Sequence, residues 1–307
     1  MSGSVDLSII LVTWNMRELV LDCLASIEAA ELGVSYEIIL VDNGSSDGVV
    51  EAVGRQFPRV QVIALPHNLG FAAGNNQGLL KMSGRHALLL NSDTIVLRGG
   101  LERCVSFLDE HPGVGIVGPQ LLNSDRTKQN CIHSSPTLVS ELLSQSLLRR
   151  LLPGRYPSKR VSYSEPIEVE AVLGACLFVR GEVIQEVGPL SEDYFFFLED
   201  TDWCHRVRAR SWKVAHIPDA HVIHLSGKSS KLPLPLRTRI EYCRSRYTFF
   251  RKHRGVISCW ALLAIVVARV ALGSVLGGRR AREYRKILAW HWRGRPASAG
   301  LSAGGQE

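Results

Sequence analysis

The sequence predicts an α/β fold, in which helices cover both faces of a sheet, followed by a C-terminal helical extension. Three observations point to this fold. Short apolar runs rich in β-branched residues alternate with segments of helical spacing. Polar residues follow the carboxyl ends of several runs. The composition then changes at Arg237, where basic residues begin to flank one long apolar segment.

The first half of the chain alternates strands and helices, which is typical of a parallel sheet. Leu7–Thr13 is a continuous apolar run, as expected for a strand buried on both faces. The elements predicted next are a helix over 17–30, a strand over 36–41, a short helix to about residue 55, a strand over 60–65, a helix over 72–82, a strand over 87–90, a helix over 101–110 and a strand over 114–117.

The second half is less regular. Prolines at positions 136, 153, 157 and 166 surround an apolar helical stretch over 138–152, so we predict that 123–168 is a mobile loop or flap rather than sheet. The elements predicted beyond it are a strand over 169–179 broken at Gly174, a helix over 199–209, and strands near 214–217 and 221–225.

Positive charge is concentrated near the C-terminus. Residues 237–295 contain 15 Lys and Arg against two acids, a net charge of +13, and because the whole chain carries +7 the rest carries −6. Within this stretch, 256–276 is apolar apart from Arg269 and would be about 31 Å long as a helix, close to a bilayer core. The basic clusters and tryptophans nearby favour a helix in or near the cytoplasmic leaflet. The alternatives are a helix packed on the core and a membrane span, for which Arg269 would be costly.

Cellular location follows from three further features. The seven scattered cysteines include no Cys-x-x-Cys pair, which indicates a reducing compartment. The residues before the first strand lack the basic segment of a secretory signal. The basic stretch lacks the folded module with interleaved aromatics that nucleic-acid binding needs. We therefore expect a cytoplasmic protein, peripheral at the inner face of the cytoplasmic membrane, with no nucleic-acid partner.

Ligands of an open parallel sheet bind beyond the carboxyl ends of its strands. Four predicted strand ends carry polar residues there: Thr13-Trp14-Asn15, Asp42-Asn43, His67-Asn68 and Asn91-Ser92-Asp93. These carboxylates and amides suit hydrogen bonding to a base and a ribose. A glycine-rich dinucleotide fingerprint is absent after the first strand, which argues against a nicotinamide enzyme.

Two features of this sheet edge can be explained either by ligand binding or by a purely structural role. Asp42 is either an acceptor for a nucleoside or the N-cap of the next helix. The glycines at positions 70, 74 and 78 recur every four residues, which leaves a bare helix stripe. Such a stripe suits either a ligand or close packing on a strand.

Several acids are candidates for chemistry. Asp93 ends a buried strand, where it suits either a divalent cation shared with diphosphate oxygens or a cap. Glu199 and Asp200 open a helix after four aromatic residues, and an aromatic wall raises a carboxylate's basicity. Acids in a first turn also favour the helix dipole, which is the alternative explanation. Asp202 is predicted to pair with Arg206 at (i, i+4) spacing.

His224 lies in an apolar, strand-like setting, where a histidine is more often a core residue. It precedes Ser226-Gly227-Lys228-Ser229, a loop that could close over a phosphate. Only jointly with Asp93 does it become a candidate metal or diphosphate ligand.

Together these motifs resemble the family 2 inverting glycosyltransferases over about residues 5–255, and most of all the bacterial rhamnosyltransferases of cell-wall and O-antigen synthesis. The motifs are residues 10–15, Val41-Asp42-Asn43-Gly44-Ser45, the block 68–78, Asn91-Ser92-Asp93, Gly174-Ala175, and segments 192–202 and 224–229. The resemblance implies a GT-A fold with a Rossmann-like mixed sheet. Its nucleotide-sugar half would cover about 1–122 and its acceptor half about 123–250, followed by the basic, membrane-associating helical tail over 251–307.

The resemblance also implies roles for individual residues. Asp200 matches the general base, with Glu199 beside it as a second catalytic residue. Asp93 matches the last acid of the D-x-D metal motif and His224 the histidine of the metal site, which would hold Mg²⁺ or Mn²⁺. The substrate-binding residues that it implies are Thr13, Asn15, Asp42, Asn68, Gly70, Asn91, Gly174 and Trp203. Asn91 replaces the first D-x-D acid, which keeps an oxygen ligand but loses a charge.

The implied activity is metal-dependent hexosyl transfer with inversion in cell-envelope glycan synthesis. The donor would be dTDP-rhamnose or a UDP-sugar, and the acceptor a lipid-linked or polysaccharide glycan. One base suffices for this single displacement, whereas retention through a covalent intermediate needs a second carboxylate. The alternative is a nucleotide-sugar-binding protein without transfer activity, which Asn91 favours and the Glu199-Asp200 pair opposes. The linkage and a homo-oligomeric state are left open.

Overall fold

The computed structural model describes residues 5–153, 156, 162–225, 235–276, 278–295 and 299–301. The strands are β1 (Leu7–Thr13), β2 (Tyr36–Asp42), β3 (Gln61–Ala64), β4 (His86–Asn91), β5 (Thr94–Val96), β6 (Val114–Leu122), β7 (Ile132–His133), β8 (Ile167–Glu168), β9 (Ala171–Val172), β10 (Cys176–Arg180) and β11 (Lys213–His224). The helices are α1 (Arg17–Ala29), α2 (Val49–Gln56), α3 (Phe71–Leu79), α4 (Gly100–Glu110), α5 (Leu138–Leu142), α6 (Gln145–Leu151), α7 (Gly181–Val187), α8 (Glu199–Ala209), α9 (Leu236–His253), α10 (Gly255–Leu276) and α11 (Ala281–Trp292).

In the described part of the chain, nine strands form one mixed sheet in the order β3-β2-β1-β4-β10-β6-β11-β5, with β8 pairing on β11. β1, β2, β3 and β4 are parallel, as the βα alternation predicts. β10 runs antiparallel to both β4 and β6, and β5 runs antiparallel to β11. The predicted α/β class with a mixed sheet and flanking helices is therefore confirmed.

Several boundaries differ from the predictions. The apolar stretch 138–152 is two helices rather than one, because the Ser144 hydroxyl accepts the Leu147 amide and starts α6 anew. Residues 123–168 are not free of strands, since β7 and β8 lie within them. The strands expected near 214–217 and 221–225 are one strand, β11, with a register irregularity between Ile217 and His221.

The C-terminal helices build their own apolar cluster. Side chains of α9, α10 and α11 are buried together, among them Phe249, Phe250, Leu262, Val266 and Trp290. The main cluster lies between the sheet and its helices. Because α9 runs continuously over 236–253, the boundary predicted at residue 250 falls inside it. The division into two halves and a tail stays a prediction.

α10 is, among the described helices, the one long and apolar enough to cross a membrane by length and composition alone. Leu262, Val266 and Val270 are its buried residues. Much of the rest is open, with Ile257 exposed by 87% and Trp260 by 62%. The Arg269 guanidinium donates to the Leu142 carbonyl in α5 at 3.0 Å, so this charge has a partner within the protein.

Two glycines of the predicted stripe serve close packing. A Cβ at Gly78 would lie 2.4 Å from Cγ2 of Ile10, and one at Gly74 would lie 2.9 Å from Cγ1 of Val12. Both contacts are shorter than atoms tolerate, so α3 approaches β1 as closely as it does because these positions lack a side chain. Packing, rather than a ligand, accounts for both glycines.

Gly78→Ala is expected to lower the free energy of unfolding by about 1–3 kcal/mol, because the added methyl group must displace Ile10 in a close-packed core. Gly54→Ala in α2 is the matched control, since nothing lies within 4 Å of the Cβ it would add. There the helix propensity of alanine should raise the free energy of unfolding by up to about 1 kcal/mol. Urea unfolding measures both changes, and a stabilised Gly78→Ala protein would contradict the packing.

Candidate active site

A cavity of about 1150 Å³ opens at the carboxyl ends of β1 and β4 and extends to the start of α8. Asp93 and Asp200 both line it, although they are far apart in the sequence. Of the predicted site residues, the cavity is lined by Thr13, Asn68, Gly70, Asn91, Asp93, Gly174, Glu199, Asp200 and His224. Asn15, Asp42 and Trp203 are not among its lining residues.

Asn15 and Asp42 hold the loop that follows β2. The Asn15 side-chain oxygen accepts the Ser46 amide at 2.8 Å, and the Asp42 carboxylate accepts the Ser45 amide at 3.1 and 3.3 Å. Trp203 is fully buried, and its indole N–H donates to the Gly188 carbonyl at 2.9 Å. These three side chains therefore have hydrogen-bond partners within the protein.

At the same end of the cavity, the Thr13 hydroxyl oxygen is buried and has no hydrogen-bond partner among the described residues. A buried hydroxyl without a partner is costly, so a ligand that bonds to it gains that energy back. Thr13 is thus available to a bound molecule.

The turn at Gly70 is fixed by backbone conformation and by amide side chains. Gly70 has φ +89°, and a Cβ there would lie 2.5 Å from the Phe195 carbonyl oxygen. Asn68 accepts the Gly70 amide at 2.8 Å, and Asn43 donates to the Gly70 carbonyl at 3.0 Å. Glycine is required here because other residues disfavour this φ and would collide with Phe195.

Asp93 and His224 meet because β5 and β11 pair antiparallel, with Thr94 opposite His224. The Asp93 Oδ1 atom lies 3.3 Å from His224 Nε2. The sequence placed these two residues in one candidate site, and the structure brings them together.

Gln129 orients the His224 ring. Its Nε2 donates to the His224 carbonyl at 2.5 Å, so its Oε1 is the atom 3.0 Å from His224 Nδ1. Because an amide oxygen accepts, Nδ1 carries a ring proton, and this hydrogen bond directs Nε2 towards the Asp93 carboxylate. An imidazole nitrogen and a carboxylate oxygen that lie 3.3 Å apart are ligand types that suit Mg²⁺ or Mn²⁺.

No group of three or more His, Cys, Asp or Glu residues with metal-binding geometry occurs among the residues that the structure describes. A cation at Asp93 and His224 would therefore need further oxygen ligands from a bound diphosphate, from water or from Asn91, which lines the same wall. The loop 226–229, which we expected to close over a phosphate, lies outside the described residues.

Asp200 is held rigidly by both of its carboxylate oxygens. Oδ2 accepts the Gly174 amide at 2.8 Å, and Oδ1 accepts the amide and hydroxyl of Thr201 at 2.5 and 3.1 Å. The chain enters α8 through Phe197 and Leu198, both with left-handed φ values of +73° and +67°. Such backbone conformations cost energy in non-glycine residues and are found most often at functional sites.

Two titratable groups flank Asp200 in the cavity wall. Burial, and then the negative charge of Asp200, raise the pKa of Glu199 well above its usual value. Burial lowers the pKa of His133, although the charge of Asp200 opposes this shift. His133 was missed by the sequence analysis because it lies on β7, within the segment predicted as a flap, and no motif marks it.

Asp202 ties α8 to α9. Its predicted (i, i+4) pair with Arg206 is confirmed at 2.8 Å. Its other oxygen lies 2.6 Å from His253 Nε2 and accepts the Tyr194 hydroxyl at 3.1 Å. Burial acts to raise the pKa of Asp202, but the hydrogen bonds from His253 and Arg206 outweigh it and the pKa is lowered. Asp202 is thus a buried structural anion one turn from the cavity.

Residues 8–185 match the family model described as "Glycosyl transferase family 2". An N-acetylglucosaminyl-diphospho-decaprenol L-rhamnosyltransferase of Mycobacterium tuberculosis is 26% identical over 234 residues, which cover 71% of this chain and 76% of the relative. The low-salt glycan biosynthesis hexosyltransferase Agl10 of Haloferax volcanii is 24% identical, with 71% and 67% covered.

Two solved structures share the fold. The mannosyltransferase PcManGT of Pyrobaculum calidifontis, in complex with GDP-Man and Mn²⁺, superposes with a TM-score of 0.57 over 97% of this chain and 78% of its own, at 16% identity. GalNAc-T7 with UDP, GalNAc and Mn²⁺ gives a TM-score of 0.54 over 72% of this chain and 43% of its own, at 14% identity. These similarities confirm the expected GT-A fold.

Proposed function

The chain belongs to glycosyl transferase family 2, and from that premise we propose that it is an inverting enzyme that moves rhamnose from a nucleoside-diphosphate donor to a lipid-linked or polysaccharide acceptor in cell-envelope glycan synthesis. One observation carries the proposal: the contacting pair Asp93 and His224 and the separately fixed carboxylate of Asp200 line the same cavity. An inverting transfer needs these two groups on either side of one sugar.

At the donor end, Asp93 and His224 would hold Mg²⁺ or Mn²⁺, and Asn91 would supply a further oxygen. When bound, the divalent cation supplies a Lewis acid that stabilises the charge of the departing diphosphate. Thr13 would hydrogen-bond the nucleoside through its unpartnered hydroxyl. Asn15 and Asp42 would act by fixing the loop after β2, and Asn68 by fixing the turn at Gly70 beside the sugar.

At the acceptor end, Asp200 removes the proton from the attacking hydroxyl. Its two oxygens are fixed by Gly174 and Thr201, so the carboxylate does not need to reorganise when the hydroxyl arrives. The hydroxyl oxygen then forms its bond to the anomeric carbon as the bond to the diphosphate oxygen breaks on the opposite face, which inverts that carbon. Trp203 contributes through the core that supports α8.

A transfer assay tests the proposal. Radiolabelled dTDP-rhamnose, UDP-glucose and UDP-galactofuranose are each incubated with the full chain, Mn²⁺ and N-acetylglucosaminyl-diphospho-polyprenol, the acceptor class named for the mycobacterial relative. Rhamnosylated lipid with inverted anomeric configuration is the expected product. Donor binding without transfer from any donor to this lipid or to isolated cell-wall polysaccharide would favour a nucleotide-sugar-binding protein instead.

We also propose that the helical tail holds the protein on the cytoplasmic face of the membrane. Ile257 and Trp260 are exposed, and the basic residues Arg251 and Arg254 lie at the adjoining helix end. Apolar insertion together with attraction to anionic lipid is the usual basis of peripheral binding. This location would bring the cavity to a lipid-linked acceptor.

Ile257→Ser is expected to weaken partition to phosphatidylglycerol vesicles about tenfold, because an exposed isoleucine no longer enters the interface. Leu80→Ser is the matched control, since Leu80 is 76% exposed at the end of α3 in the sheet domain. Co-sedimentation at low and high salt measures binding. An equal loss of vesicle binding in both variants, or unchanged vesicle binding of Ile257→Ser, would contradict the assignment of α10 as the membrane-binding surface.

A further inference from the structure

Besides the Thr13 hydroxyl, two polar atoms of residues that line the cavity have no hydrogen-bond partner among the described residues: Glu199 Oε2 and His133 Nε2. Both atoms are buried, and Glu199 as a residue is only 6% exposed. Both residues line the cavity together with Asp200. A buried polar atom left without a partner costs about 1–3 kcal/mol, so the wall beside Asp200 is arranged for a ligand that supplies hydrogen bonds.

The fold places these two residues on different elements around Asp200. Glu199 precedes it at the start of α8. His133 lies on β7, which pairs with β9, and Gly174, the donor to Asp200 Oδ2, follows just after β9. Asp200 already accepts three hydrogen bonds, so its remaining acceptor capacity serves the hydroxyl that it deprotonates, and its neighbours are the groups left for the other hydroxyls of a bound sugar.

The pKa shifts of both neighbours favour their neutral forms. Burial, and then the charge of Asp200, raise the pKa of Glu199. Burial lowers the pKa of His133, although the charge of Asp200 opposes this shift. A neutral carboxyl group and a neutral imidazole each offer one donor and one acceptor, the same pattern as a sugar hydroxyl.

We propose that Glu199 and His133 form the acceptor-sugar subsite, where they bind hydroxyl groups of an uncharged sugar ring next to the hydroxyl that Asp200 deprotonates. This inference rests on the proposed function and adds the chemical class of the acceptor's terminal sugar. An acidic sugar would place its charge beside the Asp200 carboxylate. Arg237, an exposed residue of α9, is the only Lys or Arg among the described lining residues.

The test compares hydrogen-bonding and apolar variants of each residue in the full chain. Glu199→Gln and His133→Gln keep a neutral hydrogen-bonding group. Glu199→Leu and His133→Phe keep the approximate size of the side chain but remove its hydrogen-bonding atoms. The acceptor probes are N-acetylglucosaminyl-diphospho-polyprenol and octyl glycosides of N-acetylglucosamine, rhamnose and glucuronic acid. Steady-state kinetics with varied donor and varied acceptor give the two KM values separately, and thermal unfolding reports whether each variant folds.

We expect the apolar variants to raise the acceptor KM about 10–100-fold, the range that one lost hydrogen bond in a buried site gives. The donor KM should change by less than about threefold, and the Gln variants should raise the acceptor KM by a smaller factor than the apolar variants do. The glucuronide should be the poorest of the octyl acceptors. Equal changes in both KM values, Gln variants as poor as the apolar ones, or preference for the glucuronide would overturn the subsite.

Failure of the proposed function would give a different experimental result from failure of the subsite. If no nucleotide-sugar is turned over by the wild-type protein with any of these acceptors, the transfer proposal fails. If transfer occurs but the acceptor KM does not respond to the apolar variants, the subsite alone fails. Because the Gln variants keep a polar side chain of similar size, their folding is expected to match the wild type, and thermal unfolding checks this.

Discussion

Asp200→Asn is expected to lower kcat for sugar transfer by about 10²–10⁴-fold, the contribution of a positioned general base. Asparagine keeps the volume of the side chain and one of the two acceptor oxygens that Gly174 and Thr201 bind. It cannot accept the proton of the attacking hydroxyl. The donor should bind as before, because Asp200 is not among the residues proposed to hold the cation or the nucleoside.

Turnover with saturating donor and acceptor measures the loss, and isothermal titration with the nucleoside diphosphate and Mn²⁺ measures donor binding. The matched control is Asp22→Asn on the exposed face of α1, which should leave both unchanged. Unchanged turnover of Asp200→Asn would remove Asp200 as the base. Loss of donor binding together with turnover would instead indicate a structural defect at the start of α8.

Asp93→Asn is expected to reduce kcat/KM about 10²–10³-fold, in proportion to the electrostatic stabilisation of the leaving diphosphate that is lost. The substitution removes the only full negative charge of the Asp93–His224 pair, and Asn91 already stands where a second acid would add one. The affinity for Mn²⁺ in the presence of the nucleoside diphosphate should fall with it. Electron paramagnetic resonance of free Mn²⁺ measures that affinity directly.

A second substitution distinguishes a residue that binds the metal ion from a residue that orients a metal ligand. Gln129→Ala leaves Asp93 and His224 in place but removes the acceptor that fixes Nδ1–H, so Mn²⁺ affinity should fall by a smaller factor, about 10–100-fold. Glu110→Gln at the exposed end of α4 is the control for a change of side-chain polarity elsewhere. An Mn²⁺ affinity that is the same in Asp93→Asn and the wild type would exclude this metal site.

The sequence analysis located most of the active site because chemistry at a sheet edge follows from strand order. Apolar runs identify buried strands, and the polar residues after β1 and β4 must share the same edge once the strands are parallel. Asp93 was named on that basis, whereas Asp200 was named from the aromatic residues before its helix and from the resemblance, and both line the cavity. The family and the GT-A fold were also predicted and are confirmed.

Other features depended on packing that a single sequence does not encode. The stripe at Gly74 and Gly78 suited a ligand or a strand equally well until the distances to Val12 and Ile10 showed which neighbour it meets. Asn15 and Asp42 carry the right chemistry for a nucleoside, and the structure adds that their oxygens accept amides of the loop after β2. The polarity of a side chain makes it a candidate for ligand binding. Its hydrogen-bond partners within the protein become known only from the structure.

What the sequence alone determined is therefore the class of the fold, the buried strands and the residues at their ends, because hydrophobic periodicity and strand alternation are local properties of the chain. What the tertiary structure decided is which distant groups face one another. His133 reaches the wall beside Asp200 through the pairing of two short strands, and Gln129 reaches His224 across the cavity edge. Such contacts arise from long-range pairing and burial, which no local pattern records.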